Sequence, residues 1–313
     1  MKVYAPDYYT RFKCIADKCK HSCCVGWEID IDEESVERYK RLDGSFGERV
    51  RENISFNADD PHFITIDNEK CPFLNECGLC DIIINLGEDA LCEMCTYHPR
   101  FRNFFSDRVE IGLGLCCEAA AELILSQTHS VKTVELEESD EGLEEMGADE
   151  LEFFEARKRL ISVIQNRDIP IFQRLLDVQS ELGICYDTDE AARVFDGLEY
   201  MDAEFGKTLS RAFSENTAFE VKEEWEIPLE QLAVYFIMRH TADGLYGDDI
   251  PERVAFCSLC AEAVYRVTVM RMKEEGLPFF ETLCDTARVF SSEIEYSVEN
   301  TDSLIEAIAE MDL

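Results

Sequence analysis

The feature that most constrains this chain is the distribution of its cysteines. Eleven of the fifteen fall before residue 118. The densest stretch, residues 71–100, reads CPFLNECGLCDIIINLGEDALCEMCTYHPR and carries Cys71, Cys77, Cys80, Cys92 and Cys95. Cys77/Cys80 and Cys92/Cys95 hold the two-residue spacing at which one tight turn aims two thiolates at a common point. Cys71-Pro72 and Cys77-Gly78 add turn residues, so the first part of the stretch is expected to be loop. Residues 81–86 are too apolar to stay solvated and are expected to pack. Tyr97-His98-Pro99-Arg100 closes the stretch with a rigid turn and a fixed charge. Upstream lie Cys14, Cys19, Cys23 and Cys24; downstream lie Cys116 and Cys117.

A chain of 313 residues buries an adequate core without covalent staples. Its opening residues, MKVYAPDYYTRFKC, hold no apolar core of signal-peptide length, and no run reaches the length of a membrane span. The expected setting is therefore cytoplasmic, where thiols stay reduced. There, clustered cysteines bind metal or do redox work more often than they form disulfides, and an odd total argues the same way. Zinc takes four cysteines, or three with a histidine, and an iron–sulfur cluster is commonly held by four cysteines. The spacing does not choose between them. The formal charge of −37 disfavours nucleic acid and anionic membranes as partners and favours a basic, lysine-bearing surface. For most of these carboxylates, solubility alone is the simpler account.

Taken in order, Tyr4, Tyr8, Tyr9 and Phe12 are expected to pack against the cysteine region. Trp27, Ile29 and Ile31 alternate with Glu28, Asp30 and Asp32, the pattern of a half-buried strand. Asp32 is placed to cap a helix over EESVERYKRLD, which Gly44 and Gly47 should break. Asp59-Asp60-Pro61 marks a turn, residues 62–66 read as a strand, and Asp67-Asn68 ends it. Cys116-Cys117 opens a helix over EAAAELILSQ, a position where a thiolate is electrostatically favoured. Residues 130–150 are acidic and carry little apolar periodicity. From residue 151 onward the pattern is helical throughout, with segments at 189–200, 203–213, 251–276, 278–297 and 301–311. The expected fold class is mainly α. A cysteine-rich N-terminal unit (1–129), with a few short strands and loops around a metal or cluster site, is joined by an acidic linker or surface loop (130–150). It packs on an all-helical C-terminal bundle (151–313).

Several residues read more simply as structural. Cys257 and Cys260 share the two-residue spacing but sit inside a helical run, where cysteine packs as a small apolar residue; Cys185 and Cys284 read likewise. His21 and His98 neighbour cysteines and are possible ligands, although a packed or solvated histidine accounts for each more simply. His62, His129 and His240 have no partner at useful spacing. Arg100 suits either a carboxylate clamp or a structural ion pair. Cys19 and Cys23 begin a Cys-x3-Cys-x2-Cys signature, but Gly26 occupies its third place. No dinucleotide fingerprint, P-loop or nucleophile elbow is present.

The segments FKCIADKCKHSCCVGWEIDID, CPFLNECGLCDIIINLGEDALCEMCTYHPR and LGLCCEAAAELIL, with the tail SSEIEYSVENTDSLIEAI, resemble the flagellin lysine-N-methylase (FliB) family. The N-terminal half is also similar to the cysteine-rich zinc- or iron-chelating family marked by CxxCxxCC. The methylase resemblance implies methyl transfer from S-adenosylmethionine to lysines of flagellin or a related lysine-bearing protein. It also implies a [4Fe-4S] cluster, with zinc as the alternative metal. By matching position its ligands are Cys14, Cys19, Cys23, Cys24, Cys71, Cys80, Cys95 and Cys116, with Cys77, Cys92 and Cys117 as extras. Cys117 stands where the family has proline, and Tyr97-His98-Pro99-Arg100 replaces Tyr-Pro-Arg. A lysine amine must lose its proton to attack a sulfonium methyl, and Tyr97, Glu293 and Glu295 are the candidate bases. Arg100 is the candidate cofactor clamp. The alternatives are a non-catalytic zinc- or iron-chelating module and an iron–sulfur redox protein.

Overall fold

A computed structural model of the chain describes residues 2–26, 28–56, 60–66, 70–137, 145–214, 221–247 and 249–311. Trp27 of the expected strand, Asp59 and Asp67-Asn68 of the expected turns, and 138–144 of the expected linker lie outside them. The chain divides into two compact units, residues 13–100 and residues 1–12 with 101–313. The division therefore falls at 12/13 and 100/101, not within 130–150, and one unit is discontinuous in sequence. The fold is mainly α, as expected.

In the discontinuous unit, β1 (Lys2–Pro6) is an interior strand of a four-stranded sheet. In the other unit, β2 (Ile54–Ser55) and β3 (His62–Phe63) form a minimal antiparallel pair. The four-stranded sheet is completed by β4 (Arg100–Phe104), β5 (Arg108–Leu113) and β6 (Thr133–Glu137), in the order β4-β5-β1-β6. β1 runs parallel to β5 and antiparallel to β6. Tyr8 is buried in the core of the helical unit, with Tyr9 and Phe12 packed on it. These aromatics thus belong with the helices, contrary to the expectation that they cover the cysteines. β6 also lies within the segment read as linker.

Residues 13–100 fold around α1 (Glu33–Lys40) and α2 (Gly44–Glu52), with two short helices, α3 (Asp81–Leu86) and α4 (Glu93–Tyr97). Gly44 and Gly47 lie inside α2 instead of breaking a helix, because α1 already stops at Lys40 and Asp43 is the N-cap of α2. Ile29 and Ile31 are buried while Glu28 and Asp30 are exposed, as the alternation required, yet their pairing is confined to a bridge from Asp30 to His62. The core joins Tyr39, Val50, Phe63 and Phe73.

The helical unit contains α5 (Glu118–Leu125), α6 (Ala148–Ile164), α7 (Ile171–Leu182), α8 (Thr188–Gly197) and α9 (Ala203–Ser214). It continues with α10 (Glu223–His240), α11 (Gly244–Gly247), α12 (Ile250–Glu275), α13 (Phe279–Phe290) and α14 (Val298–Glu310). From Leu229 to Met238 every residue of α10 is buried, the signature of a helix surrounded by others. Pro251 opens α12, and Gly276 ends it with φ +71°, which glycine tolerates without a Cβ clash. The helix expected over 278–297 is interrupted. It passes into a π-helix at Ser291–Glu295, and Ser297 caps α14 by accepting from the Asn300 amide. No helix of the described residues is long and apolar enough to cross a membrane.

Candidate functional sites: a thiol cluster and a buried carboxylate

In residues 13–100 the backbone brings four cysteine-bearing segments together. The Cys71 amide donates to the Cys24 carbonyl at 2.8 Å, and Val25 bridges Lys70, so Cys24 and Cys71 stand side by side. Asn75 Oδ1 accepts from the Cys77 and Leu79 amides at 2.9 and 3.1 Å and closes the loop that returns Cys80 to Leu74. Arg49 secures this loop through Asp81 and the Pro72 carbonyl. Cys92 and Cys95 share the first turn of α4, since Cys92 is its N-cap. Asp32 holds two helix starts at once, accepting from the Ser35 amide of α1 and the Glu93 amide of α4, each at 2.8 Å. Arg38 and Tyr39 of α1 bind the carbonyls of Leu91 and Ala90.

The thiols are electrically linked. Hydrogen bonds from Cys23 and Cys71 draw the Cys24 thiol below its ordinary range, against burial. The same bond to Cys24, with burial, pushes Cys71 up. A hydrogen bond from Cys95 lowers Cys92, and Cys95 rises as the partner that keeps its proton. Burial raises Cys80, and the charge of Cys24 adds to this. Burial holds His98 down to about 4, the neutral form a metal requires. Cys92, read as an extra, is fully buried and paired, whereas Cys77 at the same spacing is exposed, as are Cys14 and Cys23. Cys19 donates to the His21 carbonyl. Such a donor set suits zinc or an iron–sulfur cluster chemically. Among the described residues, however, no three His, Cys, Asp or Glu side chains close to metal-binding geometry. Arg100 donates to the Thr96 and His98 carbonyls at 3.5 Å each, and Tyr97 is exposed.

The remaining candidates lie in the helical unit. Cys116 is raised to about 12 because burial outweighs the hydrogen bond from Tyr296 and the charge of Arg239. The N-cap of α5 is Cys117, so Cys116 stands one residue outside the helix start. Glu293 accepts from the Met201 and Asp202 amides at 2.8 and 3.1 Å, supporting the start of α9. Glu295 is wholly enclosed. Burial pushes its carboxyl up, but Arg239 Nε at 2.9 Å and His240 Nε2 at 2.6 Å hold it below the usual range. The Tyr235 hydroxyl donates to both its oxygens at 3.0 and 3.1 Å and accepts from the Leu115 amide. Sequence reasoning found Glu295 but missed Tyr235, Arg239 and His240. Their only local signal was a polar run, Arg239-His240, ending an otherwise buried helix.

Over 130 residues, 40% of its length, the chain is 28% identical to a lysine-N-methylase of Salmonella typhimurium, covering 32% of that protein. The lysine-N-methylase of Salmonella choleraesuis matches to the same extent. The flagellar biosynthetic protein FliU of Salmonella muenchen is 29% identical over 130 residues, 77% of its length. The chain thus spans about a third of the length of the lysine-N-methylases it matches. No family model matches the chain, and no solved structure does.

Proposed function

We propose, from the relationship of this chain to the lysine-N-methylases over that segment, that it is a protein-lysine N-methyltransferase. S-Adenosylmethionine would supply an electrophilic methyl group on sulfur. The acceptor would be flagellin or another lysine-bearing protein, and the thiols of residues 13–100 would hold a [4Fe-4S] cluster or zinc. The observation that carries the reading is the shared segment. The acidic surface supports it, because a charge of −37 draws a lysine-rich partner in. In the transfer, the lysine nitrogen bonds to the methyl carbon as the carbon–sulfur bond breaks, and the amine has already lost a proton. Lysine holds that proton to about pH 10.4 in water, so the site must desolvate it or offer a base. Of the three candidates, Glu293 and Glu295 are enclosed and committed to their donors, which leaves Tyr97 as the accessible one.

Incubation without air, with S-adenosylmethionine and a panel of flagellins, is expected to add methyl-sized mass steps to lysine. Absence of any gain with a cognate flagellin removes the reading. One observation favours a second account, a metal-chelating or redox module: the paired thiols belong to a compact unit of their own. That account predicts metal exchange or reversible reduction with no affinity for S-adenosylmethionine.

A further inference from the structure

Arg239 ends its side chain between two aromatic rings. Its guanidinium lies 5.0 Å from the Phe101 ring centroid and 4.8 Å from that of Tyr296. Nine-tenths of the side chain is buried, and Nε is committed to Glu295. Among the described residues, its Nη1 is shielded from solvent and has no hydrogen-bond partner. A guanidinium is an array of fixed donors, and a buried donor left unmet is costly unless something else satisfies it. Buried nitrogens of Arg157 and Arg174 are unmatched too, and each of these guanidiniums, like Arg239, is paired with a buried carboxylate. Arg239 differs because one of its walls, Tyr296, is 48% exposed and opens the position toward the surface. The irregularity that delivers Tyr296 is the π-helix at Ser291–Glu295, a backbone form found often at functional sites.

We infer that Arg239, held between Phe101 and Tyr296, is a receptor for the α-carboxylate of an amino-acid ligand. Within the proposed methyltransferase function, on which this inference rests, that ligand is the methionine end of S-adenosylmethionine. The molecule carries a sulfonium, an ammonium and a carboxylate, a single net positive charge. A chain at −37 attracts it as a whole but repels its carboxylate, so a dedicated cation is required. Arg239 supplies that cation with a donor to spare, while Glu295 and the two rings fix its orientation. Tyr296, half-exposed, forms the wall of the site on its solvent side. Arg100, the clamp expected from the sequence, donates through Nη1 to the Thr96 and His98 carbonyls of its own turn.

The test is calorimetric titration of the whole chain with S-adenosylmethionine, with its decarboxylated analogue, and with 5′-methylthioadenosine, which lacks the amino-acid end. Arg239→Lys is expected to bind S-adenosylmethionine roughly 10- to 100-fold more weakly and methylthioadenosine unchanged. A folded Arg239→Lys that binds S-adenosylmethionine like the parent overturns the inference and leaves the cofactor reading standing. A loss confined to Arg100→Ala overturns it equally. Should Arg239→Lys fail to fold, the parent decides: equal affinity for S-adenosylmethionine and its decarboxylated analogue overturns the assignment, and a loss of roughly tenfold or more supports it. A parent that binds no S-adenosylmethionine sinks both the cofactor reading and this site.

Discussion

His240 Nε2 lies 2.6 Å from Glu295 Oε1, inside the helical unit, although 55 residues separate them. His240 is the last residue of α10, and Glu295 is the last of the π-helix. A buried carboxylate is costly unless charge and donors surround it. Here Arg239 supplies the charge, and Tyr235 and His240 supply hydrogen bonds. Burial holds His240 below its ordinary range despite the carboxylate, so the ion pair is Arg239–Glu295 and the imidazole acts as a neutral donor.

This arrangement sets a pH dependence. His240 titrates lower in the folded chain than in the unfolded chain, so the unfolded chain takes up more protons as pH drops below about 6.5. The stabilisation is whole above that pH and declines toward the folded value. Glu295, also held low, extends the decline below about pH 4.3. The thermal midpoint is expected to fall between about pH 7 and about pH 5. His240→Asn is expected to flatten that slope without abolishing it, since buried His98 shares the window. An unaltered slope would show that His240 does not report the transition.

Glu230 and Arg174 form a second buried pair, with Arg174 also bound to Glu226 and Arg167 also bound to Glu230. Glu230→Ala takes one of two carboxylates from the buried Arg174, leaving its charge matched only by the part-exposed Glu226, and is expected to cost about 3 kcal/mol. Replacing both Glu230 and Arg174 by methionine is expected to cost less. Denaturant unfolding measures both, and equal losses would contradict this account.

Asp32 ties α1 to the turn bearing Cys92 and Cys95. Asp32→Ala removes a helix cap, expected to cost about 1–2 kcal/mol, and frees the Glu93 amide. Thiol labelling read by mass spectrometry should then show Cys92 and Cys95 reacting faster. Unchanged rates would mean that α4 stands without this tether.

Metal content gives a direct check on the thiol cluster. Protein purified without air is expected to carry zinc, or iron with matching sulfide, and to shield Cys24, Cys71, Cys80, Cys92 and Cys95 from alkylation. Cys77 is expected to react in either state, because it is exposed. Removal of the metal should expose the five together. Protection of Cys14 but not Cys92 would favour the ligand set implied by the family resemblance over the one implied by burial.

The sequence alone determined what operates within a turn or two of chain. The helical period after residue 151, the stop at Gly276, the alternation of Ile29 and Ile31 and the cap at Asp32 follow from side-chain spacing and local hydrogen bonding. The crowding of cysteines before residue 118 is likewise plain from the sequence. Tertiary structure decided the rest. It placed β1 and the first aromatics with the helices, because β1 finds its partners in β5 and β6, more than a hundred residues away. It buried Cys92 and exposed Cys77, though both lie at the same spacing from a partner cysteine. It also brought Arg239 and His240 to Glu295. Such meetings depend on which surfaces lose the most apolar area when the whole chain packs, and a spacing rule that reaches a few residues carries no record of that.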